Sequence, residues 1–464
     1  MISKIHAIPL MAALLVFAAI APAQQAKRNV LLIVSDDLNN SLGCYGAPVK
    51  TPNLDRLAAR GVRFDRAYCQ YPLCGPSRAS LMSGMRPDAI GVVTNGPTVR
   101  ANVKDVVTLP QLFREQGYFA ARVGKIYHLG IPGGVGTPGP DDPLSWDHTF
   151  NPKGAEFATE GEEHWPDRKD GQGFRYVIGK GDGREQHDYQ AADEAIRLLN
   201  ENKDKPFFLA VGFIRPHVPL IAPQRDFERY PLERITLLDV PAEDREDIPA
   251  LAFFQPNRID RGMTPQQCRE SIRAYYAAIS FMDSQLGRVI DELEKLGLAD
   301  NTVITFVGDH GYLLGEHREW QKMTLFEPVA RVPMLIAAPG VEAGATRSIV
   351  EMIDLYPTIA SLCGLTPPPT VQGASLRPIL GDKRATVKRA AYTQVRRKTG
   401  EGRSVRTDRW RYTEWKANPD AKDPAITDGA ELYDHQSDPG ELKNLAADPA
   451  HAQTIAEMKK LLAP

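Results

Sequence analysis

Membrane-crossing runs are missing from this chain beyond its first two dozen residues, as are cysteine clusters, internal repeats and any strong excess of one charge. No later segment is long and apolar enough to span a bilayer as a helix. The five cysteines, Cys44, Cys69, Cys74, Cys268 and Cys363, have neither metal-ligand spacing nor the density of a disulfide framework. With Cys74 set apart for reasons given below, the other four read as buried free thiols. Lys and Arg number 56 against 58 Asp and Glu, a net charge of -2, which gives no footing for general nucleic-acid binding.

What is present begins at the first residues. Lys4 precedes an apolar run over 8–21, and Ala21-Pro22-Ala23 is a small-x-small cleavage signature. Residues 1–23 therefore read as a secretory signal peptide cut before Gln24, with no cysteine at the cut to carry a lipid. The mature chain is expected to be exported, periplasmic or secreted, without stable membrane insertion afterwards. Its length of 464 residues exceeds one core and suits a large domain with a smaller partner.

Asn29-Val30-Leu31-Leu32-Ile33-Val34-Ser35 is a continuous apolar run, the pattern of a strand buried on both faces, and it ends in Asp36-Asp37. Comparable strands are predicted at 118–123, 206–212, 302–307 and 332–337; the fourth of these five ends in Gly308-Asp309-His310-Gly311. Helices are signalled from Thr51-Pro52 to Gly61, at 109–116, at 265–296 with Ile272, Ile279, Leu286 and Ile290 at helical spacing, and at 353–362. The alternation predicts a layered α/β fold, with a large mostly parallel or mixed sheet flanked by helices. Ligands bind beyond the carboxyl ends of such strands, where Asp36-Asp37 and Asp309-His310 stand. Residues 141–190, rich in Gly, Asp, Trp and Pro, show no period and read as a long loop region shaping a cleft. Beyond about 385 come short strand-like pieces at 390–395, 410–415 and 431–433 and a last helix at 449–462. The domain plan is a main domain over 24–384 and a smaller α+β subdomain over 385–464.

Leu73-Cys74-Gly75-Pro76-Ser77-Arg78 is the most unusual stretch. A thiolate nucleophile is the first reading, but the phosphatase-type loop needs arginine six places after the cysteine, where Ser80 stands. The local alternative is a helix opened by Pro76 and Ser77 and stopped at Gly84. Three carboxylates, Asp36, Asp37 and Asp309, with His310 beside them, suit a hard divalent cation. Taken singly, these pairs could equally be strand-end caps or polar turns.

Together with Ser35-Asp36-Asp37-Leu38, Leu42-Gly43-Cys44-Tyr45-Gly46, Pro52-Asn53-Leu54-Asp55, Gly124-Lys125-Ile126-Tyr127-His128, Arg215-Pro216-His217, Asp309-His310-Gly311, Gly315-Glu316-His317 and Glu319-Trp320-Gln321-Lys322, the Cys-x-Pro-Ser-Arg element resembles the type I sulfatases of the alkaline-phosphatase-like superfamily. Ser404-Val405-Arg406-Thr407, Arg411-Tyr412-Thr413 and Glu431-Leu432-Tyr433 carry the resemblance towards the iduronate-2-sulfatase branch. The resemblance implies that a maturation enzyme oxidises Cys74 to formylglycine. It places Asp36, Asp37, Asp309, His310 and the modified Cys74 around Ca2+, with Mg2+ second. Many sulfatases have asparagine where His310 stands, and a ring nitrogen is a less natural Ca2+ ligand, so His310 could orient the site instead. Arg78 would steady the hydrated aldehyde and Lys125 would neutralise nearby charge. His128 would be a base, while His217 and Lys322 would grip the sulfate and assist departure of the alcohol. His317 and Trp320 are further candidates for lining the pocket.

The implied chemistry uses two hydroxyls on one carbon: one attacks sulfur, and deprotonation of the other expels sulfate as the aldehyde returns. A serine would be left as a stable sulfate ester. The expected function is an exported sulfatase acting on a sulfated carbohydrate, with 2-O-sulfate of a uronic acid preferred. The alternatives are a phosphodiesterase or phosphonate monoester hydrolase of the same fold, or a non-catalytic binder of sulfated polysaccharide in which Cys74 stays a thiol. The basic segment Arg396-Arg397-Lys398, Arg403, Arg406, Arg409 and Arg411 could hold carboxylates and sulfates, or be a charged edge strand.

Overall fold

The computed structural model describes residues 27–167, 173–421 and 423–462, and the signal peptide read at 1–23 lies outside them. Asn29–Ser35 is the central strand of a nine-stranded mixed sheet. It pairs in parallel with Phe207–Phe213 on one side and Thr302–Gly308 on the other. Phe119–Gly124 and His148–Phe150 extend the first side, both parallel. On the second side Arg331–Ala337 pairs antiparallel with Thr302–Gly308 and Val62–Tyr68 follows, with Gly344–Thr346 and Val350–Glu351 at the far edge.

Alternate residues of the central strand feed two separate cores. Leu31 and Ile33 pack in the layer of helices Pro52–Arg60, His187–Asn202 and Pro265–Lys295. Val30, Leu32 and Val34 pack in the layer of Cys74–Ser83, Leu109–Glu115 and Leu355–Leu362. With both faces covered, no position needs a polar side chain until the strand leaves the sheet, hence the unbroken apolar run. The C-terminal part is a four-stranded antiparallel sheet, Ala391–Arg397, Gly400–Arg406, Trp410–Ala417 and Gly429–Asp434. Helix Ala452–Leu462 covers it, packing Met458 and Leu462 with Val405, Tyr412 and Leu432. No helix among the described residues is long and apolar enough to cross a membrane.

Residues 141–190 are not loop throughout. Gly161–His164 pairs with Tyr176–Gly179, which pairs with Leu220–Pro223, and helix His187–Asn202 starts inside the segment. The Gly-Glu-Glu-His strand has no apolar face to reveal it, because it lies exposed at an edge. Val62–Tyr68 also has no signal of the central kind, since charges alternate with its apolar residues.

Thr51 does not cap helix Pro52–Arg60 as expected; its hydroxyl accepts from the Gly43 amide at 2.9 Å and donates to Asp55 at 3.1 Å. The cap comes from the middle of the long helix Pro265–Lys295. Asp283 accepts from the backbone amides of Asn53 and Leu54 at 3.1 and 2.8 Å. Gly287 one turn on permits this approach, because an added Cβ would lie 2.4 Å from the Asn53 side chain. Burial pushes the Asp283 carboxyl up to about 6. Replacing Asp283→Ala strands two amide donors and is expected to lower the unfolding free energy by about 2 kcal/mol. A urea midpoint equal to the parent's would show that the two helices do not depend on this contact.

Candidate active site and metal centre

Sheet register brings the strand ends together. Ser35 lies opposite both Phe213 and Gly308, and Gly124 lies opposite Gly212. The chain beyond each strand therefore emerges at one level: the Asp309 amide donates to Ser35 O and the Lys125 amide to Gly212 O, each at 3.0 Å. Gly212 has to be glycine, since a Cβ there would sit 2.1 Å from the Lys125 carbonyl oxygen. Asp37 holds a left-handed backbone, φ 59°, uncommon outside glycine. Its amide donates to Asp309 Oδ1 at 3.0 Å and its carbonyl accepts from the Tyr275 hydroxyl at 2.7 Å, which fixes that conformation.

Helix Cys74–Ser83 points its first residue into this edge, every residue in it is buried, and Gly84 ends it at φ 67°. The unusual pentapeptide is thus both a helix start and part of the site. Arg78, one turn after Cys74, is wholly buried. Its Nε donates to Asp309 Oδ2 at 2.8 Å and its Nη2 to Asp36 Oδ1 at 3.2 Å, while Nη1 donates to the Lys125 carbonyl. Ser77 Oγ donates to the Asp309 carbonyl.

Cys74 Sγ lies 3.3 Å from Lys322 Nζ, 3.4 Å from His310 Nε2 and 3.8 Å from Asp37 Oδ1. Lys322 Nζ donates to Asp37 Oδ1 at 2.6 Å, and Lys125 Nζ donates to Asp36 Oδ2. His310 Nδ1 is 3.0 Å from the Gly311 carbonyl and His217 Nδ1 is 2.6 Å from the Val218 carbonyl. A carbonyl only accepts, so each Nδ1 carries a proton, and in the neutral ring each Nε2 presents a lone pair. Those lone pairs face one carboxylate: His310 Nε2 at 3.3 Å from Asp37 Oδ1, His217 Nε2 at 3.9 Å from Asp37 Oδ2. Asp37 Oδ2 is buried without a hydrogen-bond donor. Acceptors facing acceptors repel unless a cation or proton lies between them, and three carboxylates are the oxygen donors a hard dication takes. The residues present fit such an ion. Ligand atoms of Asp36, Cys74, Asp309 and His310 lie within 4.8 Å of one another, and so do those of Asp36, Asp37, Cys74 and His217.

Electrostatics set the protonation states. Burial, reinforced by Asp36, pushes the Cys74 thiol far above its ordinary range, which argues against a thiolate nucleophile. Burial opposes ionisation of Asp36, yet Lys125 and Arg78 hold its carboxyl well below the usual value. Burial also opposes the Lys322 ammonium, but Asp37, then Asp36, keep its pKa well above the ordinary one. Burial pushes His217 down to about 4. It pushes His128 from 6.5 to about 3, with Lys125 adding to the effect, and His128 Nδ1 is buried without a partner.

Two expectations change. His317 and Trp320 do not line the pocket: both are buried, His317 Nδ1 meets Asp244 at 3.1 Å with its ring stacked on Phe326, and Trp320 Nε1 donates to Asp260 at 3.3 Å. They support the loop that carries Lys322, whose backbone is left-handed at His317, Arg318, Gln321 and Met323. The basic C-terminal segment is not an open patch. Arg406 and Arg411 are buried against Glu327, Arg397 donates to the carbonyls of Leu251 and Phe253, and Arg396, Arg403 and Arg409 pair with Glu401, Asp88 and Asp434. Sequence reasoning missed Tyr275, which braces Asp37 from the long helix, and Asn95, which accepts from the Gly75 amide at 2.9 Å. Neither lies in a motif.

A family model described as Sulfatase matches residues 28–365, and one described as N-sulphoglucosamine sulphohydrolase, C-terminal, matches residues 315–464. The chain is 35% identical over 390 residues to the iduronate 2-sulfatase of Mus musculus, covering 74% of this chain and 69% of that protein. Among solved structures it matches a phosphonate monoester hydrolase of Agrobacterium radiobacter with a TM-score of 0.78 at 25% identity, over 94% of this chain and 95% of that one. A structure described as a 2-O GAG sulfatase matches with a TM-score of 0.71 at 25% identity, over 94% and 91%.

The depressed His128 value has a consequence for stability. As pH falls from 6.5 towards about 3, the unfolded chain takes a proton at this residue that the native state refuses. Its contribution is therefore full above pH 6.5 and is lost as pH falls through about 3. His128→Gln is expected to flatten the acid-side decline of the urea midpoint relative to the parent. Parallel declines in the two proteins would contradict the assignment.

Proposed function

Because the chain belongs to the sulfatase family and is a sulfuric ester hydrolase of the alkaline-phosphatase-like superfamily, we propose that it removes 2-O-sulfate from a uronic acid of a sulfated carbohydrate, using a formylglycine made from Cys74. The observation that carries this reading is Cys74 at a helix start, 3.3 Å from Lys322 Nζ and 3.4 Å from His310 Nε2, beside three buried carboxylates. The similarity to iduronate 2-sulfatase favours the uronate. Residues 1–23 direct export to the periplasm or beyond, 24–384 form the catalytic domain, and 385–464 form the smaller subdomain.

Asp36, Asp37, Asp309 and His310, with residue 74, would hold Ca2+. When bound, the ion supplies fixed positive charge against an anionic substrate. The hydrated formylglycine would supply two hydroxyls on one carbon, one nucleophilic towards sulfur and one whose proton loss allows sulfate to leave. Arg78 positions Asp36 and Asp309 through its fork, and Lys125 neutralises Asp36. Lys322 and His217 stand at the mouth, with side chains 19% and 17% exposed, where they meet sulfate oxygens and the departing alcohol. His128 is neutral above about pH 3 with a free Nδ1, the state a proton acceptor requires.

The match to a phosphonate monoester hydrolase favours a second reading, in which the same residues cleave a phosphonate or phosphate ester. Turnover of an aryl phosphonate faster than an aryl sulfate would select it.

Protein produced with a maturation enzyme is expected to release sulfate from a 2-O-sulfated uronate disaccharide, and mass spectrometry of the Cys74 peptide to show the aldehyde. Cys74→Ala should lose turnover by at least about a thousandfold while keeping its fold. Sulfate release by that variant would sink the mechanism. Chelation should abolish turnover, and Asp36→Asn should weaken Ca2+ binding in calorimetry by about tenfold or more; unchanged affinity would remove Asp36 from the ion's ligands.

A further inference from the structure

Two cavities lie away from the Cys74 cluster. A groove of about 960 Å3 runs along the outer edge of the main sheet, between Gly344–Thr346, the loop over 383–389 and helix Ala452–Leu462. A second cavity of about 320 Å3 shares Arg347 with it. Neither is lined by a residue of the Cys74 cluster.

The chain as a whole is slightly acidic, yet cations outnumber carboxylates on these walls. Several are matched internally: Arg63 by Asp65, Arg66 by Asp408, Arg406 by Glu327, Arg409 by Asp434, and Lys388 by Glu351 and Asp354. After that pairing Arg331, Arg347, Lys383, Arg389 and Lys460 have no ion-pair partner among the described residues. Arg331 Nε is also buried without any hydrogen-bond acceptor. A buried donor left unmade is unfavourable, and a forked guanidinium is satisfied by the paired oxygens of a sulfate or carboxylate. Trp410 lines the same groove and offers an apolar ring beside the cations. Scattered surface lysines would lie on convex ground with carboxylates among them, whereas Arg347, Lys383, Arg389 and Lys460 line one concavity built from four separate chain segments, which also holds Glu457.

We propose that this groove docks a sulfated polysaccharide chain at a second site, apart from the Cys74 cluster. The proposal rests on the reading that the substrate is a sulfated carbohydrate: Arg347 and Arg389 take sulfate and carboxylate groups, Arg331 adds a further guanidinium in the adjoining cavity, Lys383 and Lys460 add positive charge, and Trp410 meets a sugar face. The polymer is thereby held on the enzyme while one of its residues is presented to the cluster.

The test measures heparin binding to the full chain carrying Cys74→Ala, so that the polymer is not altered, and turnover in the parent background. Arg347→Glu combined with Arg389→Glu is expected to weaken heparin binding by at least about tenfold and to reduce its salt dependence. Lys460→Glu, on the opposite wall, should give a smaller loss, so that misfolding of one variant does not decide the matter. The same substitutions in the parent should change sulfate release from a 2-O-sulfated disaccharide by less than about twofold. Unchanged heparin affinity and salt dependence in both variants would overturn the proposal, and so would a single-stranded DNA binding the groove as tightly as heparin. If the disaccharide is not hydrolysed but the charge reversals weaken heparin binding, the groove stands and the uronate reading falls. If the disaccharide is hydrolysed and heparin binding is untouched, the reverse holds.

Discussion

The guanidinium of Arg78 ties the site together, and the strand ends depend on it. Asp36 and Asp309 leave adjacent parallel strands and would repel each other in a buried setting without a cation between them. Arg78 meets both, at 3.2 and 2.8 Å, from a helix whose whole length is enclosed by core. Lys125 and Lys322 balance the remaining charge through Asp36 and Asp37. The three carboxylates and three cations leave the cluster near neutral, so an added dication gives it a positive field suited to an anionic ester.

Much of this was legible because of burial. The strands Asn29–Ser35 and Thr302–Gly308 are covered on both faces and carry no charge, so the first charged residue after each run marks the strand's exit, which makes Asp36 and Asp309 legible. Lys125, His128, His217 and Lys322 carry no such mark, being lone polar residues after strands or in loops, and only resemblance singled them out. Contacts across long sequence separations were invisible. Asp283 caps a helix some 230 residues earlier, Tyr275 braces Asp37 from the middle of a helix, and the C-terminal arginines find internal carboxylates that charge content alone cannot assign. Gly161–His164 escaped for the opposite reason, as an exposed polar edge with no face to bury.

The C-terminal sheet bears on the site through one loop. Arg411 Nη1 donates to Ser404 Oγ within its own sheet at 3.4 Å and to the Leu325 carbonyl at 3.1 Å, and its other nitrogens reach Glu327 and Glu441. Glu441 in turn accepts from the Glu327 amide at 2.8 Å and from His435 at 2.9 Å. This buried network fixes the chain just after Lys322, while Arg318 and Trp320 meet Asp260 just before it. The lysine is thereby pinned from both sides in a backbone that several non-glycine residues hold in the left-handed region.

The burial of Cys74 also orders events in the life of the molecule. The side chain is 1% exposed, and the helix it begins is enclosed from its first residue to its last. No second protein can seat this segment in its own cleft once the sheet and helices have closed around it. Under the proposed function, conversion of the Cys74 thiol would therefore come before the sheet and helices close around it.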